Sequence, residues 1–394
     1  MYNVSMVVKR VELVTVTPSS AWIFWRSDSE GEFGVECSST RGEGDVRAFV
    51  HTFDRLRHLA LADGLEPCGR YRFRIVSPGG GRSFHSGWFR TPALPPGDFL
   101  FRFATFNDLH VGEAVSGQIT LPGLPFFSFT PGFRWSGSET PFWRFTTEKV
   151  VEEINGVEGV EFVIVKGDLT AEMKPEQMSA AREMLDRLTP PYHVMRGNHD
   201  RLGADGADHL LETFRLERSW RSFEHRRHAF ILLDTVMPRT GFGVFPRPQL
   251  RWLEKELRRF RRIPVFIFCH HPVMRALERF MPGRRRFLSL AASHPRVAGV
   301  FNAHSHRNKK VVMRAGGRRV PFVETAAAVE YPGGYNLYEV YAGGYVQTFH
   351  RPHDLQCSRW YEITEGEFFG LATRLQFGGM RDRNFTWVYN DGAS

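Results

Sequence analysis

From about residue 5 to 92, apolar and polar positions alternate in short runs such as 11–17, 21–26 and 70–76, with Gly, Pro, Ser and Asp between them. Alternation of this kind buries one face of a strand and wets the other, which predicts a small antiparallel sandwich. The closely spaced prolines of 91–97 cannot continue a ladder and predict a stiff linker. From Phe99 onward the pattern changes. Apolar runs at 99–106, 160–166, 192–196, 229–234, 265–270 and 297–301 read as strands, and helix-like stretches at 146–155, 175–188 and 247–262 fall between several of them. Repetition of strand and helix predicts an α/β layered core, with sites at the C-terminal ends of the strands. The last fifty residues, rich in Tyr, Phe and Gly, read as further strands or a cover.

A chain of 394 residues, 42% hydrophobic and 24% charged, has apolar material for more than one core, which sets disordered and fibrous classes aside. The expected division is a β-sandwich over 1–95, a catalytic domain over 96–345 and a C-terminal extension over 346–394. No run approaches the roughly 18 uncharged apolar residues of a membrane helix, and the first residues lack a leader pattern, so a soluble cytoplasmic protein is expected. Four scattered cysteines with no CxxC signal neither a disulfide framework nor a zinc knuckle. The net charge of +9 favours acidic ligands. The arginine clusters at 258–262 and 284–286 read as solvated faces, with phosphate contact as the alternative.

Chemistry-bearing residues sit just after the apolar runs. Asp108 and His110 follow the first, Gly167-Asp168 the second and Gly197-Asn198-His199-Asp200 the third, while His270-His271 and then His304-Ser305-His306 follow later ones. Taken singly each motif is weak, since a turn with a surface histidine has the same composition. Five polar elements in order at the ends of five buried strands point to one convergent site. Carboxylate, imidazole and amide oxygen suit two divalent or trivalent ions such as Mn, Fe or Zn.

On these motifs, residues 99 to about 345 resemble the calcineurin-like metallophosphoesterase superfamily. The resemblance implies a layered β-sandwich flanked by helices, preceded here by a small all-β immunoglobulin-like sandwich. It implies that Asp108, His110 and His306 bind one metal, that Asn198, His270 and His304 bind the second, and that Asp168 bridges them. His270 is preferred to His271 because it directly ends its strand and matches the family's usual ligand. His199 would be the non-ligating histidine facing the leaving group, and Asp200 either orients it or caps its loop. Residues 58–75 also resemble the fibronectin type III pattern of a Leu-x-Pro turn followed by a Tyr-bearing strand.

Two ions about 3.5–4 Å apart would clamp the phosphoryl oxygens and make hydroxide available at neutral pH for in-line attack. His199 would then protonate the leaving oxygen. Two subclasses are excluded by motif, because Ala171 and Glu172 stand where purple acid phosphatases carry a metal-binding Tyr or Ser/Thr protein phosphatases carry Asp and Arg. Ala303 replaces the family's usual Gly, so the backbone there is expected to avoid positive φ. Stretches at 222–225, 232–235 and 249–253 resemble the bacterial class similar to cyclic-nucleotide phosphodiesterases, with Asp234 a core feature. The expected partner is a small phosphorylated substrate. A degenerate scaffold and a nuclease are the alternatives, nucleic acid being possible without being favoured, and oligomeric state is left open. The aromatic segment 113–145 reads either as a substrate lid or as a packed excursion.

Overall fold

The computed structural model describes residues 7–389 apart from 41–44, 80, 118–119, 122–123, 129, 204–205, 239, 276 and 316. After the linker, the chain builds two six-stranded sheets. The first runs in the order Tyr192–Val194, Val160–Val165, Phe99–Phe106, Tyr335–Tyr341, Gly344–His350, Phe385–Val388. The second runs Arg221–His225, His228–Leu233, Val265–Cys269, Val297–Asn302, Arg318–Glu324, Lys309–Ala315.

Strand periodicity explains how both faces of each sheet are buried. In the first sheet Phe101, Phe103, Phe162 and Ile164 point between the sheets, and the intervening Ala104, Phe106, Val163 and Val165 point to a helix layer. In the second, Phe230, Leu232, Phe266 and Phe268 face inward, while Ala229, Ile231, Leu233, Val265 and Ile267 meet helices. Strands buried on both sides read as nearly continuous apolar runs, which is why they were legible from Phe99 onward. The middle of the sandwich is aromatic: Phe103 stacks on Tyr338 at 4.4 Å and on Phe162 at 5.2 Å. Helices Phe142–Gly156 and Pro175–Leu185 cover one outer face, and Arg247–Arg259 and Arg284–Ser293 the other. The arginines at the end of Arg247–Arg259 pair with Glu254 and Glu256 on its exposed face, as does Arg286.

Strands Phe99–Phe106, Val160–Val165 and Tyr192–Val194 are mutually parallel, as are His228–Leu233, Val265–Cys269, Val297–Asn302 and Arg318–Glu324. Their C-terminal ends therefore open at one edge, where the polar motifs follow.

Before the linker, seven strands between Val8 and Arg90 curl into one sheet whose two halves share a core of Trp25, Cys37, Tyr71, Phe73 and Ile75. This all-β unit is tied to the rest of the chain. Glu12 pairs with Arg351 at 2.6 Å, Thr15 donates to the Phe349 carbonyl, and Val14 and Phe24 pack against Ala326 and Phe349. Strand Gly344–His350 runs across the expected boundary at 345/346. The last fifty residues, read as further strands or a cover, hold both: strands Gly344–His350 and Phe385–Val388 extend the first sheet, and helix Leu355–Thr364 with shorter turns lies between them. The helix buries Trp360 and Tyr361.

All four cysteines are free. Among the described residues no helix is long and apolar enough to cross a membrane.

Candidate metal centre

Five of the residues that follow the strands, Asp108, His110, Asp168, His304 and His306, adopt left-handed backbone with φ between 48 and 65°. For residues with a Cβ this conformation costs about 1–3 kcal/mol each and persists only where the surroundings enforce it. Here the enforcement is backbone hydrogen bonding. Asp108 N–H donates to the Gly167 carbonyl, and both Leu109 and His110 donate to the Asp168 carbonyl. Ala303 lies outside the left-handed region while its neighbour His304 lies within it. Two glycines are required by close approach. A Cβ on Gly197 would fall 2.1 Å from Asp168 Oδ1, and one on Gly167 would fall 2.7 Å from Gly197 N.

The convergence yields two groups of ligand atoms, each within 4.8 Å of one another: Asp108, His110 and His306 in one, Asp168, His270 and His304 in the other. Asp168 stands between them. Its Oδ1 accepts the His199 backbone N–H at 2.8 Å, and its Oδ2 lies 3.9 Å from His110 Nε2 and 3.1 Å from His270 Nε2. Asn198 Oδ1 lies 3.1 Å from His270 Nε2, which adds the amide oxygen to the second group. The two histidines of the doublet meet different partners. His270 Nδ1 hydrogen-bonds to the Lys166 carbonyl and turns Nε2 inward, whereas His271 is spent on Thr235 Oγ1 and the Gly241 carbonyl.

Buried polar atoms without partners test whether metal ions fit. Asp108 Oδ1 and both ring nitrogens of His110 are buried and lack any hydrogen-bond partner. Orphaned groups of this kind cost about 1–3 kcal/mol each unless something binds them. A carboxylate, imidazole and amide set suits first-row ions, so the residues present fit a pair of them. Charge is correspondingly concentrated. Burial pushes the Asp168 carboxyl up, but His270, His199 and His110 outweigh it and hold it well below the carboxylate range. Burial and the neighbouring His199 push His110 down to about 4, and His304 falls well below its ordinary value through burial beside His271. Beneath the carboxylates, Lys166 is fully buried and donates to the Asn302 carbonyl at 3.1 Å and to Thr325 Oγ1.

His199 Nδ1 sits 2.8 Å from the Ala171 carbonyl, which makes Nδ1 the protonated nitrogen and leaves Nε2 free; its ring lies 4.7 Å from that of His110. Of the two roles open to Asp200, its hydrogen bonds fit the loop cap: its buried carboxylate accepts the backbone N–H groups of Leu169, Thr170 and Gly197 at 2.9–3.0 Å and Thr170 Oγ1 at 3.0 Å, which ties together the loops carrying Asp168 and Asn198. Adjacent residues in this single 3-10 turn diverge, and the backbone donors nearest Asp200 claim its oxygens. Asp234 pairs with Arg196 at 3.2 Å, away from the ligand groups.

Sequence reasoning missed Glu330, which accepts from His306 Nδ1, and its companions Ser116 and Glu367. Nothing in their spacing could have flagged them, for they lie on three separate segments. Within the aromatic segment 113–145, the half-buried Phe133 and Trp135 pack with Phe142, Phe145, Trp360 and Tyr361. That contact favours the packed reading for these two rings; the side chains of Phe126, Phe127 and Phe129 lie outside the described residues.

A model of the family described as calcineurin-like phosphoesterase matches residues 101–308. Among curated proteins, a probable glycerophosphodiester phosphodiesterase of Arcobacter nitrofigilis is 28% identical over 177 residues, 39% of this chain and 62% of that protein. A 3',5'-cyclic-nucleotide phosphodiesterase of Nostoc is 24% identical over 153 residues, 38% of this chain and 56% of its own length. The chain thus spans between 56% and 62% of the curated relatives it matches. Among solved structures, a dimetal phosphatase from Danio rerio aligns with 65% of this chain and 98% of its own at 15% identity and a TM-score of 0.48.

Proposed function

We propose that this chain, which belongs to the calcineurin-like phosphoesterase family, is a dimetal hydrolase of phosphodiesters. The observation that carries the proposal is the pair of three-residue groups with Asp168 Oδ2 standing between them, 3.9 Å from His110 and 3.1 Å from His270. Asp108, His110 and His306 would hold one ion, Asn198, His270 and His304 the other, with Asp168 shared. When bound, two such ions supply Lewis-acid polarisation of the phosphoryl oxygens and a source of hydroxide at neutral pH.

The chain's own residues supply the rest. Asp168 is oriented by the His199 backbone N–H, which takes Oδ1 and leaves Oδ2 for the shared position. His270 is fixed in one tautomer by the Lys166 carbonyl, so that its Nε2 lone pair faces the site. His199, anchored through Nδ1–H, leaves Nε2 toward the site, and in its imidazolium form, protonated on both nitrogens, it would give the Nε2 proton to the departing oxygen and remain as the neutral Nδ1–H imidazole. The named activities of the relatives make glycerophosphodiesters and 3',5'-cyclic nucleotides the substrates to try first. The division of the chain near residue 95 is proposed on the same footing, supported by the separate core of strands Val8 to Arg90.

The test compares wild type and His199→Ala, loaded with Mn2+, on bis-p-nitrophenyl phosphate and on those two natural classes. Wild type should hydrolyse diesters and lose activity on chelation. His199→Ala should keep both ions and lose rate by roughly 10²–10⁴-fold on alkyl leaving groups, with far less effect on p-nitrophenolate, which needs little protonation. Full activity in a metal-stripped sample would refute the reading.

A further inference from the structure

A contact to the outer nitrogen of a metal-ligating histidine fixes its tautomer and ring angle. His270 has a backbone carbonyl, that of Lys166. His306 has a carboxylate: Nδ1 donates to Glu330 Oε1, while Nε2 points inward, 3.5 Å from Asp108 Oδ1. Glu330 is buried and lies in the connection between strands Arg318–Glu324 and Tyr335–Tyr341.

Two distant parts of the chain fix Glu330 in turn. Ser116, from the aromatic segment, places Oγ 2.6 Å from Glu330 Oε2 and 3.2 Å from Glu367 Oε1, and Glu367 belongs to the C-terminal extension. A serine hydroxyl has one hydrogen to give, so one of the two carboxyl groups must carry a proton of its own. Burial and the Glu330 charge push the Glu367 carboxyl up, making it the protonated member. The arrangement is sterically specific. Gly117 has φ +78°, and a Cβ there would fall 2.8 Å from Glu367 Cγ. Ser116 exchanges backbone hydrogen bonds of 2.9 and 3.0 Å with Phe133, whose ring packs beside Trp360 and Tyr361 of the C-terminal helix. Gln376 donates to Glu367 Oε2 at 3.3 Å, and its carbonyl accepts from Asn308 N, two residues after His306.

We propose that Glu330 is a positioning residue for His306, and that Ser116 and Glu367 hold it there, so that the aromatic segment and the C-terminal extension complete the metal group of Asp108, His110 and His306. The proposal rests on the dimetal reading above. It assigns the C-terminal extension a part in the site, though no metal-binding motif lies in it.

The test is Mn2+ titration of the metal-stripped full chain, followed by calorimetry, with stoichiometry from elemental analysis and the melting temperature of the stripped protein recorded alongside. Wild type should take two ions. Glu330→Ala should weaken one binding step by about 10–100-fold and leave the other unchanged. Glu330→Gln, which keeps an acceptor for His306 Nδ1–H, should recover most of that loss. Glu367→Ala should weaken the same step as Glu330→Ala, and Glu367→Gln, an amide of the same shape, should recover most of that loss. If Glu330→Ala does not fold, Ser116→Ala must weaken that step, since it leaves Glu330 in place without its anchor. Two ions bound with wild-type affinity by Glu330→Ala, or by Ser116→Ala, would overturn the proposal. A wild type that binds no Mn2+ would instead overturn the dimetal reading, so the two failures are distinguishable.

Discussion

Asp200→Ala removes the acceptor shared by Leu169, Thr170 and Gly197, whose backbone N–H groups point into a closed interior. A buried donor left without a partner costs about 1–3 kcal/mol. Three of them, even at the low end of that range, lower stability by about 3 kcal/mol. For a unit of roughly 300 residues, with an unfolding entropy near 2.1 cal/mol/K per residue, this is a fall in melting temperature of about 5 °C. Because the freed loops carry Asp168 and Asn198, metal stoichiometry should fall with stability. Asp200→Asn should cost less, since it keeps an acceptor while removing a charge that burial and Asp168 oppose. The assay is differential scanning calorimetry with elemental analysis and rates on phosphodiesters of graded leaving-group pKa. A capping role predicts equal rate loss across that series, per ion bound. An unchanged melting temperature together with the leaving-group dependence of His199→Ala would refute it and restore Asp200 as the partner of that imidazole.

Phe133→Ala with Trp135→Ala should lower the melting temperature, at about 2 kcal/mol for each half-buried ring as against the 3–5 kcal/mol of a full truncation, and depress turnover of large and small diesters alike; a KM effect confined to the larger substrate would favour a lid. Burial pushes His193, His294 and His353 down to about 4 and His350 to about 3. Their folded values lie below the unfolded value near 6.5, so the unfolded chain binds more protons in between and stability falls as pH drops from about 6.5 toward 4. A melting temperature flat across that window would contradict it. Gly197→Ala, which drives a methyl onto Asp168 Oδ1, should lose bound metal; retention of two ions would show that the loop can move aside.

Much of this molecule was legible along the chain because its information is local. The run 99–106 coincides with strand Phe99–Phe106, and the helix expected at 175–188 is Pro175–Leu185, since period-two burial and helical spacing leave their mark in consecutive residues. The residues at the strand ends were legible for a related reason: parallel strands deliver their C-terminal ends to one edge, so order along the chain becomes proximity in space. The C-terminal helix Leu355–Thr364 escaped because aromatic composition does not distinguish a strand from a helix that buries the same rings.

What only the tertiary structure decided are contacts between positions far apart in sequence. Asp200 and His199 are neighbours in one turn, and their separate partners are the donors of 169–170 and the Ala171 carbonyl, about thirty residues earlier. His270 and His271 differ only in which partner each meets across the sheets. Glu330 and Glu367 lie 214 and 251 positions from Ser116, and the three share no motif. Strand and helix periodicity is imposed by backbone geometry on adjacent residues, whereas the partner of a buried polar group is chosen by whatever the packed core brings within hydrogen-bonding distance.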